Sequence, residues 1–311
     1  PPAPPDGPSS GRRTRLRGVL AMLGAAAGPP SAAASAWVSP PDGRTARGSA
    51  AGNGARSHAR GEAVLRRAVS EPSTLDPLRY GSANDFAILS DLFLGLTAFG
   101  PDGRIVPGCA ARWQSSADGL RWTFELRRGL TWSDGAPCTA PDFAWSAQRY
   151  LDPATAGLLA FRFQALRNAA AISAGRAAPA TLGLRAPNPH TVVVELEYPQ
   201  IDLPTLLAVL LPAPRARVEA YGEAWTRPEH WISNGAFVLR NRVVGDRIVM
   251  VRNPRFADAA TVRLDRVELV VAEAAAAFPR YRARELDVTR VVPEAVARAR
   301  RPAPAELRRA P

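Results

Sequence analysis

Strand-like and helix-like hydrophobic patterns alternate along the chain from Gly61 onward, and this mixture decides the class of fold. Apolar and polar residues alternate over residues 122–126 and 192–196, which is the period of half-buried strands. Apolar residues recur at helical spacing over residues 86–96. Because strands and helices are interleaved without a βαβ repeat, the sequence predicts an α/β body with mixed sheets. Further strands or short apolar elements are predicted at 63–70, 206–211 and 262–271.

Two local signals predict where a helix begins and where a hairpin turns. Thr139 is followed three residues later by Asp142, which is the spacing of a capping box, so a helix is predicted to begin there. Strands are predicted at 236–244 and 247–252 on either side of a Gly-Asp pair. With Gly245 in the first central position, the pair predicts a type II′ hairpin turn.

Basic residues are concentrated at the two ends of the chain. All 40 basic residues are Arg, and the net charge is +12. Residues 1–60 carry +6 of this charge and residues 280–311 carry +5, which leaves only +1 on residues 61–279. A nucleic-acid-binding protein is expected to carry a basic stripe on its folded body. We therefore predict that the protein has no nucleic-acid partner.

Residues 1–60 have the composition of an export signal followed by a spacer. Four Arg residues precede the apolar run at 18–28, and a small-residue stretch follows at 31–36, which is the layout of a secretory signal peptide. The run is too short to span a bilayer as a helix, which takes about 20 residues. Residues 37–60 lack apolar periodicity and predict a disordered linker. We therefore predict a periplasmic or otherwise extracytoplasmic protein, without a lipid anchor because no Cys follows the run.

The sequence offers few groups for catalysis or for metal binding. Cys109 and Cys138 have apolar neighbours that predict buried free thiols, although an oxidising compartment would allow them to pair. His58, His190 and His230 stand in no nucleophile motif, and the sequence has no Gly-rich loop with Lys-Ser/Thr. We predict a protein that is not an enzyme and uses no metal or other cofactor. A triad assembled from scattered positions is the open alternative.

A series of short phrases follows in order along about 230 residues of the chain. The phrases include STLDP at 73–77, DLFLGL at 91–96, PGCA at 107–110, WTFELR at 122–127, WSDG at 132–135, TAPDF at 139–143, NGAF at 234–237, RNP at 252–254 and ELD at 285–287. Together they resemble the family 5 solute-binding proteins of ABC importers, in particular the oligopeptide- and dipeptide-binding branch. Each phrase alone is weak, and their shared order carries the resemblance.

The resemblance implies a fold of the type II periplasmic-binding-protein kind, in which lobes close over a ligand like a venus flytrap. It divides the chain into a signal peptide and linker at 1–60 and a discontinuous first main lobe at 61–93 plus 215–270. An accessory lobe is inserted at 94–214. The opposing ligand-binding lobe begins at 271–311, and the resemblance implies that the chain is C-terminally truncated within it.

The resemblance also implies an exported, monomeric subunit that captures peptides in an interlobe cleft and delivers them to the permease subunits in the membrane. The residues expected to contact the ligand are Gly81, Ser82, Ala83, Leu159, Asn234 and Gly235. In the family an acidic residue is expected at the position of Gly81 and an aromatic residue at that of Leu159, and this chain departs from both. Asn234-Gly235 is explained equally well as a turn that enters the hairpin.

Several alternatives stay open at this point. The chain could be a gene fragment without transport function, or a member of the same family that carries a nickel chelate, haem, a murein peptide or an oligosaccharide. Four Trp residues within residues 113–145 could stack on sugars or bases, but their alternation with polar residues favours packing in the core.

Overall fold

The computed structural model describes residues 62–155 and 157–291, together with the short strands Ala36–Val38 and Leu307–Arg309. The predicted signal peptide and linker lie outside the described residues, except for the strand at 36–38. Most of the predicted segment after residue 291 also lies outside them. Within the described part of the chain, no helix is both long enough and apolar enough to cross a membrane.

Helices and strands alternate along the chain, as the hydrophobic patterns predicted. The strands are β1 (Ala36–Val38), β2 (Val64–Val69), β3 (Thr97–Phe99), β4 (Ile105–Pro107), β5 (Ala110–Ser115), β6 (Arg121–Leu126), β7 (Leu184–Asn188), β8 (Thr191–Glu195), β9 (Phe237–Val243), β10 (Arg247–Arg252), β11 (Arg266–Val271), β12 (Thr289–Val291) and β13 (Leu307–Arg309). The helices are α1 (Ala83–Leu92), α2 (Ala140–Leu151), α3 (Ala169–Ser173), α4 (Leu203–Val209), α5 (Arg215–Tyr221) and α6 (Ala274–Arg282). The predicted α/β class with mixed sheets is confirmed.

One four-stranded sheet brings distant parts of the chain together in the order β2-β11-β10-β9. β2 runs parallel to β11, with Val64 opposite Arg266, while the remaining pairs are antiparallel. Alternate residues of β10 are buried, Ile248 and Met250 among them, as the period-2 pattern requires of a strand with one face on the core. Parallel and antiparallel pairing therefore coexist in this sheet.

The hairpin between β9 and β10 differs from the predicted turn in one respect. The amide of Asp246 donates to the carbonyl oxygen of Val243, so the turn spans residues 243–246. Gly245, with φ of +77°, is the third residue of this turn instead of the first central one. The type II′ assignment is thus wrong, because an extra residue, Val244, precedes the glycine in the loop.

The second four-stranded sheet is antiparallel throughout and has the order β5-β6-β8-β7. Phe124 and Val192 are paired across it and fully buried. Helix α2 packs on its β7 and β8 strands. The predicted cap of α2 is present, since the carboxylate of Asp142 accepts from the amide of Thr139 at 2.7 Å and from its hydroxyl at 3.1 Å.

Helix α1 begins earlier and ends earlier than the spacing predicted for residues 86–96. It starts at Ala83, because the hydroxyl of Ser82 accepts from the amide of Asp85 at 3.0 Å and caps the helix. The chain is extended from Phe93, which is buried like Leu96. The apolar spacing continues past the helix because these residues fill the core from an extended segment, and spacing alone does not separate the two cases.

Two further element boundaries differ from the predicted ranges. Helix α4 begins before the predicted apolar element at 206–211 and includes Pro204, because proline fits the first turn of a helix where no amide donor is needed. Strand β11 begins at Arg266, four residues after the start of the predicted strand at 262–271, which directly follows a 3₁₀ turn at Ala259–Thr261. Both differences concern the ends of elements, and the elements themselves are present.

The main core is a continuous cluster that runs through both four-stranded sheets and the helices α1 to α5, and a smaller cluster joins β2 and β11 to α6. Trp132 is buried in the main core, and Trp113, Trp122 and Trp145 are partly buried against it. The prediction that these indole rings pack in the core is confirmed. The two sheets draw their strands from the ranges expected for the first main lobe and for the accessory lobe, and the division into lobes stays a prediction.

Candidate functional site

The predicted contact segment 81–83 lies on the surface at the start of helix α1. It follows Tyr80, a buried residue whose hydroxyl donates to the carbonyl oxygen of Val209 at 2.7 Å. Ser82 caps the helix, and Gly81 and Ala83 are exposed. The segment is therefore held at both ends, and its side chains are small.

The second predicted contact, Leu159, belongs to a turn that is anchored on helix α2. Gly157 lies so close to the helix that a Cβ atom there would be 2.4 Å from the carbonyl oxygen of Tyr150. The amide of Leu159 donates to the hydroxyl of Tyr150 at 3.2 Å. A 3₁₀ helix at Ala160–Phe163 follows, and Leu159 itself is partly buried against the core.

The structure brings these two segments together. A Cβ atom on Gly81 would lie 2.5 Å from Cδ1 of Leu158, so the Leu158 side chain covers the glycine. Leu158 is 62% exposed and Phe161 is 68% exposed, which is unusual for apolar side chains of this size. We call the surface formed by residues 81–83 and 158–162 the apolar wall. Its exposed leucine and phenylalanine carried no sequence signal beyond their proximity to Leu159.

An arginine fixes the segment before Gly81 to the elements on either side. The guanidinium of Arg79 donates to the carbonyl oxygen of Thr155 at 3.2 Å and to the carboxylate of Glu223 at 2.8 Å. Glu223 is largely exposed, so the ion pair stabilises the fold only slightly, but it sets the position of the loop. The edge of the apolar wall is thereby tied to the end of helix α5.

The third predicted contact, Asn234-Gly235, lies in the core. The side-chain oxygen of Asn234 accepts from the amide of Leu94, and its nitrogen donates to the carbonyl oxygen of Leu94, both at 3.0 Å. Gly235 donates to the carbonyl oxygen of Leu92 at 2.8 Å, and a Cβ atom on it would lie 2.4 Å from the carbonyl carbon of Leu92. These contacts give the pair the structural role that was the alternative to ligand contact.

The side chains of both cysteines contact Asn234. The side-chain nitrogen of Asn234 lies 3.5 Å from Sγ of Cys109 and 3.8 Å from Sγ of Cys138, and both thiols are buried and free, as predicted. Burial raises the pKa of Cys109 to about 12 and that of Cys138 well above its ordinary value. Neither thiol is therefore a reactive nucleophile at neutral pH.

Residues suited to holding a metal do not converge in the part of the chain that the structure describes. No group of three or more His, Cys, Asp or Glu side chains has the arrangement of a metal site there. Some polar groups near the apolar wall are engaged with each other, as in the pair Arg79 and Glu223. The exposed side chains of Leu158 and Phe161 suit the wall to apolar contact with a ligand.

A sequence model of the bacterial extracellular solute-binding proteins, family 5 middle, matches residues 104–306. Among individual proteins, the chain is 40% identical over 77% of its length to the probable deoxycholate-binding periplasmic protein YgiS of Escherichia coli. It is 39% identical over 74% of its length to the periplasmic murein peptide-binding protein MppA of Escherichia coli. It is 36% identical over 73% of its length to the periplasmic oligopeptide-binding protein OppA of Salmonella typhimurium.

Solved structures of such proteins share the fold. The Escherichia coli murein tripeptide binding protein MppA superposes with a TM-score of 0.74 at 35% identity, over 79% of this chain and 49% of that one. OppA of Burkholderia pseudomallei superposes with a TM-score of 0.72 at 36% identity, over 74% of this chain and 46% of that one. The type II periplasmic-binding-protein fold implied by the resemblance is therefore confirmed for this part of the chain.

The chain spans less than half the length of the curated relatives it matches, between 43% and 46% for the three proteins named. The family match covers more than half of the chain, and the fold agrees with it. The chain belongs to the bacterial extracellular solute-binding proteins of family 5.

Proposed function

We propose that the chain is part of the exported solute-binding subunit of an ABC importer and that the complete protein captures peptides. The observation that carries this proposal is the contact between Gly81 and the turn at Leu158, which joins two segments distant in sequence into one exposed wall. Relatives that are named for binding oligopeptides and murein peptides support the solute class.

In this proposal the apolar wall is one side of a cleft between lobes. The first main lobe at 61–93 plus 215–270 and the accessory lobe at 94–214 would contribute the wall, and the segment from residue 271 would begin the opposing lobe. Binding shifts the protein toward a closed conformation, because a ligand held by both sides favours the state in which both contact it. The membrane permease then recognises the closed, loaded form.

Ligand contact is assigned to Gly81, Ser82, Ala83 and Leu159. A protein that carries varied peptides has to recognise the backbone and the termini that all peptides share, so the side-chain subsites can stay roomy. The small, exposed side chains of Ser82 and Ala83 suit such a subsite, whereas Leu158 covers Gly81. For Asn234 and Gly235, burial and the bonds to Leu92 and Leu94 support a role in positioning α1, and direct ligand contact is the weaker assignment.

The same proposal makes the protein a monomeric, extracytoplasmic binding protein without catalysis. Buried thiols of raised pKa support the absence of a cysteine nucleophile, and the near-neutral charge of residues 61–279 supports the absence of a nucleic-acid partner. Peptide and permease are the proposed partners.

Isothermal titration of the complete gene product with peptides of two to five residues tests the proposal. We expect binding heat for at least one peptide length and weaker binding in an Ala83→Glu variant, which places a charge on the wall at an exposed helix start. Ala170→Glu, on an exposed position of helix α3, is the matched control. Absence of heat with every peptide, or equal effects of the two substitutions, would contradict the proposal.

A further inference from the structure

The turn at residues 158–162 presents apolar side chains and a positive charge. Amides bond to carbonyl oxygens three residues earlier, from Ala160 to Gly157 at 3.0 Å and from Arg162 to Leu159 at 3.0 Å. Leu158 and Phe161 are both largely exposed on this turn. Leu159 caps the 3₁₀ helix that contains Arg162 and is partly buried against the core. The turn combines an exposed apolar pair with a residue that carries a positive charge.

Leu158 occupies the space in which the resemblance expects an acidic side chain. The space in front of Gly81 is taken by Cδ1, Cβ and Cγ of Leu158, at 2.5, 3.3 and 3.5 Å from a Cβ atom on the glycine. A carboxylate at position 81 would have to displace this leucine. Methyl groups therefore form the wall where a negative charge would otherwise stand.

The guanidinium of Arg162 is available to a ligand. None of the residues that the structure describes accepts a hydrogen bond from it or forms an ion pair with it, and the residue is only partly buried. Arg162 directly follows the exposed Phe161 in the 3₁₀ helix at Ala160–Phe163, so its charge belongs to the turn that forms the apolar wall.

Acidic groups on the neighbouring elements already have partners. Asp76 pairs with Arg149 at 3.2 Å, and Glu223 pairs with Arg79 at 2.8 Å. The carboxylate of Asp85 accepts hydrogen bonds from the amide and the hydroxyl of Ser73 in the preceding loop. None of these carboxylates is paired with Arg162, so an anionic group of the ligand is a suitable partner for this guanidinium next to the exposed apolar groups.

We propose that the turn at 158–162 selects ligands that present an apolar group bearing a carboxylate to this wall. The inference rests on the proposed function, and it reverses the charge preference that an acidic residue at position 81 would give. A guanidinium binds a carboxylate through charge-assisted hydrogen bonds, while Leu158 and Phe161 cover the adjoining apolar part of the ligand. Peptides with acidic and apolar side chains, and free apolar carboxylates, share this chemistry.

Titration calorimetry of the complete gene product with matched tetrapeptides tests the inference. The peptides contain Leu at three positions and Glu, Gln or Lys at the fourth, with the variable residue moved through all positions, and decanoate serves as a carboxylate without peptide bonds. In at least one register we expect the Glu peptide to bind about tenfold more tightly than the Gln peptide, the strength of one charge-assisted hydrogen bond. The Lys peptide should bind more weakly still.

Arg162→Gln is expected to abolish the preference for Glu over Gln and to leave the binding of the Gln peptide within about twofold. Arg176→Gln, at an exposed arginine without a side-chain partner among the described residues, is the matched control and should retain the preference. Equal binding of Glu and Gln peptides in every register, or an unchanged preference in Arg162→Gln, would overturn the inference while leaving the proposed function intact. If neither the peptides nor decanoate bind, both the inference and the proposed function are overturned. If decanoate alone binds, the inference is supported and the proposed peptide ligand is contradicted.

Discussion

Two segments predicted to contact a ligand lie in opposite environments. Residues 81–83 are exposed beside Leu158, whereas residues 234–235 are buried and bonded to the end of helix α1. Both contain a glycine beside a polar residue, but only residues 234–235 belong to a phrase typical of the family. The difference teaches that a glycine can leave space for a ligand or can let two backbone segments touch. Only the neighbours of its missing Cβ distinguish these roles.

The same substitution made in both segments should separate them by the largest margin. Gly235→Ala is expected to lower the free energy of unfolding by about 3 kcal/mol, because its Cβ atom would collide with the backbone of Leu92 and Phe93. Gly81→Ala is expected to cost less than about 1 kcal/mol, since an exposed leucine side chain can move aside. Urea denaturation of both variants measures this, and similar losses would remove the distinction.

Asn234→Ala should have the next largest effect. It removes the acceptor of the Leu94 amide and one of the two donors to the Leu94 carbonyl oxygen, which keeps the thiol of Cys109, and the unpaired amide lowers the free energy of unfolding by about 2 kcal/mol. Asn84→Ala, which loses one exposed bond to the carbonyl oxygen of Ser70, is the matched control and should change stability little. A ligand affinity that falls in a still stable Asn234→Ala protein would instead favour direct contact.

Stability should decrease at alkaline pH because of the buried thiols. The folded-state pKa of Cys109 is about 12 against an ordinary value of 9.0, so the neutral thiol is favoured by folding. Its contribution is complete below pH 9 and is lost as the pH rises toward 12, by about 1 kcal/mol at pH 10. Denaturation at pH 8 and 10 should show a smaller decrease for Cys109→Ala than for the unmodified chain. Equal decreases in both would mean that the thiol titrates normally.

The smallest effect on stability is expected at the apolar wall. Leu158→Ala should change the free energy of unfolding by less than about 0.5 kcal/mol, because the side chain is mostly exposed. It should nonetheless weaken the binding of ligands with apolar side chains, as measured by titration calorimetry. Ile201→Ala, an exposed residue of a different loop, is the control. A large loss of stability in Leu158→Ala would assign the leucine to the core.

The sequence predicted the fold better than it predicted the site. Capping at Thr139 and strand alternation around Phe124 depend on nearby residues, so local patterns identified them. The end of helix α1 was misplaced because Phe93 is apolar for reasons of tertiary packing. The free guanidinium of Arg162 and the leucine over Gly81 depend on how distant segments meet, and no local pattern contains that information.

The pairing of β2 with β11 has a consequence for the order in which the protein acquires its structure. The amide of Ala63 bonds to the carboxylate of Asp265, and the strands that follow these residues pair side by side. A chain that emerges amino end first must therefore keep β2 without its partner β11 while some two hundred further residues are made. Closing so long a loop is slow, so the nascent polypeptide stays unfolded in this region until late.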